Sequence, residues 1–150
     1  MTLFRKCGVL LAALVIGCSS DSVVGPGGRF DNALARSTCG PADGPALVIY
    51  LASDPIPASG PSGEHVAVYI DGMADQFFGQ RLSISSSSNV GASFRWTTDK
   101  FEYATGGYVI LDSGGVGNGL DGSLDLLFPS AGRVHGEFHS EWLPINGFCN

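Results

Sequence analysis

From Leu120 to Trp142 apolar and polar residues alternate almost one for one. In the second half of this stretch Val134, Gly136, Phe138, Ser140 and Trp142 fall on one side, with Arg133, His135, Glu137, His139 and Glu141 on the other. The first half repeats the code, setting Leu120, Gly122, Leu124, Leu126 and Phe128 against Asp121, Ser123 and Asp125. Successive strand side chains point to opposite faces, so this rhythm predicts two strands, each buried on one side and wet on the other. Pro129-Ser130-Ala131-Gly132 between them is turn chemistry, because proline fixes φ and glycine is free to take positive φ. The stretch reads as a β-hairpin.

Ala46 to Ala52 is a continuous apolar run, which predicts a strand buried on both faces. Asp54 to Gly63 follows with Pro55, Pro57 and Pro61, whose missing donors exclude it from the middle of a sheet and make it a long loop. Val66 to Ile70 predicts a second strand, and Phe77 to Ile84 a third with a bulge at Gly79. Ala92 to Thr97 and Lys100 to Tyr103 form paired arms about Thr98-Asp99, and Tyr108 to Leu111 is a further strand. Upstream, Ser19 to Thr38 surrounds Gly25-Pro26-Gly27-Gly28 and reads as a flexible tether with one helical turn at Phe30 to Arg36. The sum is about eight short strands at eight-to-twelve-residue spacing without a long helix. It predicts an all-β fold, a single antiparallel β-sandwich or small barrel, over residues 39–150.

Composition agrees with a folded domain. Hydrophobic residues at 44% suffice for a core, while Gly (22) and Pro (8) fill a fifth of the chain. That fraction is high, yet below the roughly 25–30% of low-complexity chains. The formal charge of −6 gives no electrostatic reason to bind a polyphosphate backbone, so nucleic acid is not an expected partner.

Residues 1–17 carry Arg5 and Lys6, then an apolar run from Cys7 to Ile16 far short of the roughly 20 residues of a spanning helix. A charged start, a short apolar run and a small-residue cleavage point predict a signal peptide. Val15-Ile16-Gly17-Cys18 resembles the lipobox of bacterial lipoprotein precursors. The resemblance implies cleavage before Cys18, a diacylglycerol thioether on its sulfur and an acylated N-terminus, with residues 18–38 as lipidated linker. Ser19 stands where an inner-membrane retention signal shows Asp, so the resemblance points to a cell-envelope location on the outer membrane. Cleavage would take the formal charge from −6 to −8, leaving the acyl chains rather than charge as the membrane anchor. The closing hairpin is also similar to hairpins of small exported bacterial lipoproteins, a likeness that supplies no activity.

With Cys7 removed and Cys18 acylated, Cys39 and Cys149 remain in an oxidising setting, where two thiols form a bridge. A metal or redox pair is the competing reading, and its CxxC spacing is absent.

Three constellations offer chemistry. His135-x-Glu137-x-His139 lies on the wet side of the last strand, where i and i+4 residues stand about 13 Å apart, too far for both imidazoles to share one ion. A His–Glu pair with a third ligand from a neighbouring strand could hold zinc; a solvated polar face is the plainer account. Asp112 to Asp121 offers Asp and Asn oxygens that suit calcium, and Gly114-Gly115-Val116-Gly117 resembles the start of a glycine-rich calcium nonapeptide. Such sites need stacked repeats and this is one copy, so a turn requiring positive φ is the better account. Among Tyr50, Tyr69, Trp96, Tyr103, Tyr108 and Trp142, exposed rings could stack a sugar or peptide; Trp96, beside Arg95, is the binding candidate, with Trp142 assigned to the core.

Hydrolase signatures such as Gly-x-Ser-x-Gly and His-Glu-x-x-His are absent from the sequence. The expectation is a lipid-anchored envelope domain, non-catalytic and structural or binding, without a cofactor. One alternative is a zinc- or calcium-dependent enzyme or metal binder centred on His135, Glu137 and His139. Another is a glycan- or peptide-binding module using Trp96 and the Pro55–Pro61 loop.

Overall fold

The computed structural model describes residues 22–40, 43–85, 88–144 and 149; the expected signal peptide (1–17) and the expected lipidation site Cys18 lie outside them. Among the described residues eleven strands are formed: β1 (Val23–Gly25), β2 (Gly28–Phe30), β3 (Asn32–Cys39), β4 (Pro45–Ala52), β5 (His65–Asp71), β6 (Arg81–Ser83), β7 (Val90–Thr97), β8 (Lys100–Tyr103), β9 (Gly106–Gly115), β10 (Gly119–Phe128) and β11 (Gly132–Leu143). Among the described residues the one helical element is a 3₁₀ turn at Ala74–Phe77.

Nine of these strands form one hydrogen-bonded path, β6-β9-β10-β11-β3-β4-β5-β7-β8, curled into a half-barrel, while β1 and β2 pair off it beside β11. It is a mixed sheet: β11 and β3 run parallel from Glu141↔Leu34 to Leu143↔Arg36. The expected purely antiparallel arrangement is corrected at that seam. Only a strand returning from the far end of the chain can lie beside β3 there, and no local sequence pattern encodes such a return.

The hairpin is formed as predicted. Leu120, Leu124, Leu126, Phe128, Val134 and Phe138 are buried, and Gly132 turns the corner at φ 79°. The strand β4 is buried on both sides, with Leu47, Ile49 and Leu51 in the core and Ala46 and Val48 beneath the outer surface. The glycine-rich stretch is also a hairpin turn: β9 runs on to Gly115, and Gly117 and Gly119 take φ 83° and 88°.

The tether is corrected from residue 23 onward. Val23 to Phe30 is a hairpin whose two-residue turn is Pro26-Gly27, with Gly25 opposite Gly28, and Phe30 to Arg36 lies in strands β2 and β3 rather than in a helical turn. The glycines mark a turn, and burial of Val23 and Phe30 draws the arms onto the core. Gly136 makes room for this hairpin. Its φ is 146°, and the backbone of Ser22 and Val23 occupies the space a Cβ would need. The expected third strand at Phe77 to Ile84 shrinks to Arg81–Ser83, because the 3₁₀ turn and a φ of 71° at Gly79 take its first half.

The far end of the path is tied back to the hairpin. The Thr105 N–H donates to the Leu127 carbonyl at 2.8 Å. The Glu102 carboxylate on β8 accepts from the Ser130 N–H at 3.0 Å and the Ala131 N–H at 2.6 Å. Desolvation works to raise the Glu102 pKa, but these bonds outweigh it and hold the group below its ordinary value. Asp125 is held low mainly by a bidentate pair with Arg133 at 2.8 and 2.7 Å, and Asp121 by His139 at 2.6 Å. All three shifts have one sign. Their stabilising effect is complete above the ordinary values of 4.5 (Glu) and 3.8 (Asp), and is lost as pH falls through the lower folded values. Urea midpoints measured from pH 7 to 2.5 should therefore fall steeply below about pH 4.5. Glu102→Gln should lower the midpoint at pH 7 and flatten part of that acid limb; an unchanged profile would mean that the Glu102 clamp is not formed in solution.

Candidate functional site

The outer face of β4, β5 and β7 carries a recess of about 310 Å³, roofed by the proline-rich loop at residues 59–62. Strand register assembles it. Tyr50 opposes Ala67, Ala67 opposes Ser93, and His65 opposes Arg95, which places Tyr50, His65, Tyr69, Ser93 and Arg95 on one surface. These are the outward positions of strands whose inward positions, Leu51, Val66, Val68 and Phe94, form the core. The proline-rich loop does not enter the sheet, as expected.

His65 and Ser93 are the buried polar members of the recess, each at 6% exposure. The His65 Nδ1 lies 2.7 Å from the Gly63 carbonyl, which can only accept, so Nδ1 carries the proton and Nε2 a lone pair. Burial is the main force pushing the His65 pKa below 6.5, with Arg95 adding repulsion and the Gly63 bond opposing; the imidazole is neutral at pH 7. The Tyr50 ring meets it edge-on at 5.9 Å, and burial raises the Tyr50 pKa, with nearby Arg36 and Arg95 opposing. The Arg95 Nη1 donates to the Thr98 carbonyl at 3.0 Å, and its guanidinium lies 5.1 Å over the Phe101 ring.

Beside the recess the surface is aromatic. Phe101 opposes Arg95 and Tyr103 opposes Ser93, so both rings continue the same face, edge to face at 5.5 Å. Tyr69, Phe101 and Tyr103 are 47%, 45% and 68% exposed. Three large rings left in water on one face are the kind of surface that marks an interaction site.

Of the residues singled out by sequence, Tyr50, Tyr69 and Tyr103 come together here. Trp96 stands one residue from Arg95 and so faces the other way: its ring lies 4.9 Å from Phe94, with the Lys100 ammonium 4.8 Å above it. Tyr108 stacks under Arg81 at 3.6 Å in the other half of the sheet, and Trp142 is core, its Nε1–H donating to Ser37. His135, Glu137 and His139 lie in a row on the outer side of β11, where His139 pairs with Asp121 and Asp121 with Ser113. Among the described residues no group of three or more His, Cys, Asp or Glu side chains is placed to hold a metal ion. Cys39 and Cys149 form the disulfide, with Cα atoms 5.5 Å apart. His65, Ser93, Arg95 and Phe101 were not singled out. His65 opens β5 directly after the proline-rich loop, whereas Ser93, Arg95 and Phe101 take outward slots of β7 and β8, which no local signal ties to that loop.

A second recess of about 360 Å³, lined chiefly by apolar groups such as Leu47, Met73 and Trp142, reaches Cys149, whose preceding residues lie outside the described ones. The outer recess is lined by described residues and has the polar groups needed to orient a ligand. A scan against protein-family models and searches of curated proteins and of solved structures found no match to this chain.

Proposed function

We propose that this chain is a lipid-tethered, non-catalytic binding domain of the cell envelope whose ligand is a saccharide seated on the Tyr50–His65–Tyr69–Arg95 face. The observation that carries the reading is the joining of exposed rings to a hydroxyl-rich recess. Tyr69, Phe101 and Tyr103 offer flat apolar faces for the C–H side of a sugar, while Tyr50, Ser93 and the loop serines Ser59 and Ser62 offer hydroxyls for its O–H groups. A peptide strand would dock more naturally on a free sheet edge, but β8 is bound back to the β10–β11 turn through Glu102. Binding is favoured over turnover because no carboxylate lines the recess among the described residues, so His65 has no acid–base partner in it.

The tether rests on the lipobox-like Val15-Ile16-Gly17-Cys18 and the basic, apolar start before it. With Ser19 following, export to the outer membrane with lipid on Cys18 is the consistent reading. The first strand begins at Val23, and the chain from Cys18 to that point can reach at most about 17 Å, which would hold the domain close to the bilayer.

A glycan array probed with the purified protein should show selective spots at micromolar concentrations. Tyr69→Ala, at an exposed position that leaves the core intact, should weaken them by about tenfold, as one lost aromatic contact of 0.5–1.5 kcal/mol would. Retention of full signal in Tyr69→Ala, or a blank array for the parent protein, would overturn the saccharide reading.

A further inference from the structure

We infer that the saccharide is acidic, its carboxylate held by Arg95 with Arg36 flanking; this rests on the saccharide reading. The chain carries fourteen Asp and Glu against eight Lys and Arg, so a cation left without a carboxylate in such a protein requires a reason. Among the described residues the ion pairs are Arg29–Asp31, Arg133–Asp125 and His139–Asp121; Arg36, Arg81, Arg95 and Lys100 take part in none, and of these four Arg95 is the one that lines the recess. Arg36 and Arg95 stand on the same face of the sheet: Arg95 lines the recess, and Arg36 lies outside its lining but near enough to Tyr50 to oppose the rise of its pKa. Arg36 opposes Val48, diagonal to Tyr50 on the next strand, while Arg95 opposes His65 two strands beyond. From β3 to β7 is three strand spacings, about 14 Å, a span that suits a short oligosaccharide.

The side chains between the two guanidinium groups are neutral. Tyr50 and His65 are uncharged at pH 7, Ser93 is a hydroxyl, and no Asp or Glu of the described residues lines the recess. Arg95 is also pre-positioned, since the Thr98 carbonyl and the Phe101 ring hold its guanidinium in place before any ligand arrives. A planar fork of donors, already oriented and lacking an anion, matches a carboxylate bidentately. The neighbouring Tyr69 and Phe101 rings would take the sugar ring to which that carboxylate belongs.

The test is a set of matched probes: uronic-acid oligosaccharides and their methyl esters, titrated into the full protein at 50 mM and 150 mM salt. The acid member should bind at least about tenfold tighter than its ester, the order expected of a charge-assisted bidentate pair, and the gap should narrow at the higher salt. Arg95→Gln should abolish the gap between acid and ester whatever it costs in ester binding, whereas Tyr69→Ala should weaken acid and ester alike and leave the gap in place. Equal binding of acid and ester would overturn the acidic-ligand inference and leave the saccharide reading standing. Failure of both members, together with a blank array, would overturn both.

Discussion

Phe94→Ala is expected to destabilise the domain by about 3–5 kcal/mol, a large share of the roughly 5–15 kcal/mol of an ordinary domain. Phe94 is 1% exposed and stands where the curled sheet folds on itself. Its ring meets Phe30 of β2 at 6.2 Å, Phe128 of β10 at 5.7 Å and Trp96 of its own strand at 4.9 Å. Three strands distant in the chain therefore share one aromatic nucleus, and alanine would leave a cavity that the rings around it cannot collapse into without moving all three. Urea unfolding should show a much lower midpoint, and the melting temperature should drop by on the order of 10 °C. Phe101→Ala supplies the control: the same deletion at a 45% exposed position should change stability by within about 0.5 kcal/mol. Equal losses in the two variants would mean that the half-barrel is not closed around Phe94.

Much of this nucleus is legible in the amino-acid order. Phe128 and Phe138 sit on the apolar side of a hairpin whose alternation allows one register only, since a slip of one residue would expose every core position. The run ALVIYLA carries no polar slot between Ala46 and Ala52, so burial of both faces of β4 follows directly. Phe30 is the exception. It lies in a segment rich in glycine and alanine, both poor strand formers, and only the tertiary contacts of Val23 and Phe30 turn that segment into sheet. Local propensity misleads there because the stabilising partners, on β11 and β7, lie far along the chain.

The recess was legible in its parts but not as a whole. Tyr50, Tyr69 and Tyr103 stand out as aromatics, yet nothing local says that they share a face with Arg95. That follows from the pairings of Tyr50 with Ala67 and Ala67 with Ser93, together with the short turn joining β7 to β8. The same parity turns Trp96 towards the core: when Arg95 points out, its neighbour must point in. His135, Glu137 and His139 illustrate the opposite limit. Their period of two does place them on one outer row, but the spacing of a strand keeps them apart, and His139 finds Asp121 across the hairpin instead.

Opening the Cys39–Cys149 disulfide is the second change expected to have a large effect, about 4–5 kcal/mol in the chain-entropy account. The two cysteines are 110 residues apart and enclose every strand from β4 to β11, so the oxidised unfolded chain is confined to one large ring that reduction releases. The bridge also lies beside a short parallel junction of the sheet. There, β3 and β11 pair over three residues only, helped by the bond from Trp142 to Ser37, and a parallel pairing so short has little else to hold it. Urea unfolding of the double variant Cys39→Ala/Cys149→Ala should give a lower midpoint and a steeper slope, since an unconfined unfolded chain exposes more surface. Hydrogen exchange should quicken first in Leu34–Arg36 and Glu141–Leu143, ahead of the β10–β11 hairpin, because the parallel seam then opens without global unfolding. A change below about 1 kcal/mol would sink the ring argument. Exchange rising uniformly across the sheet would show that the seam is held by its neighbours rather than by the bridge.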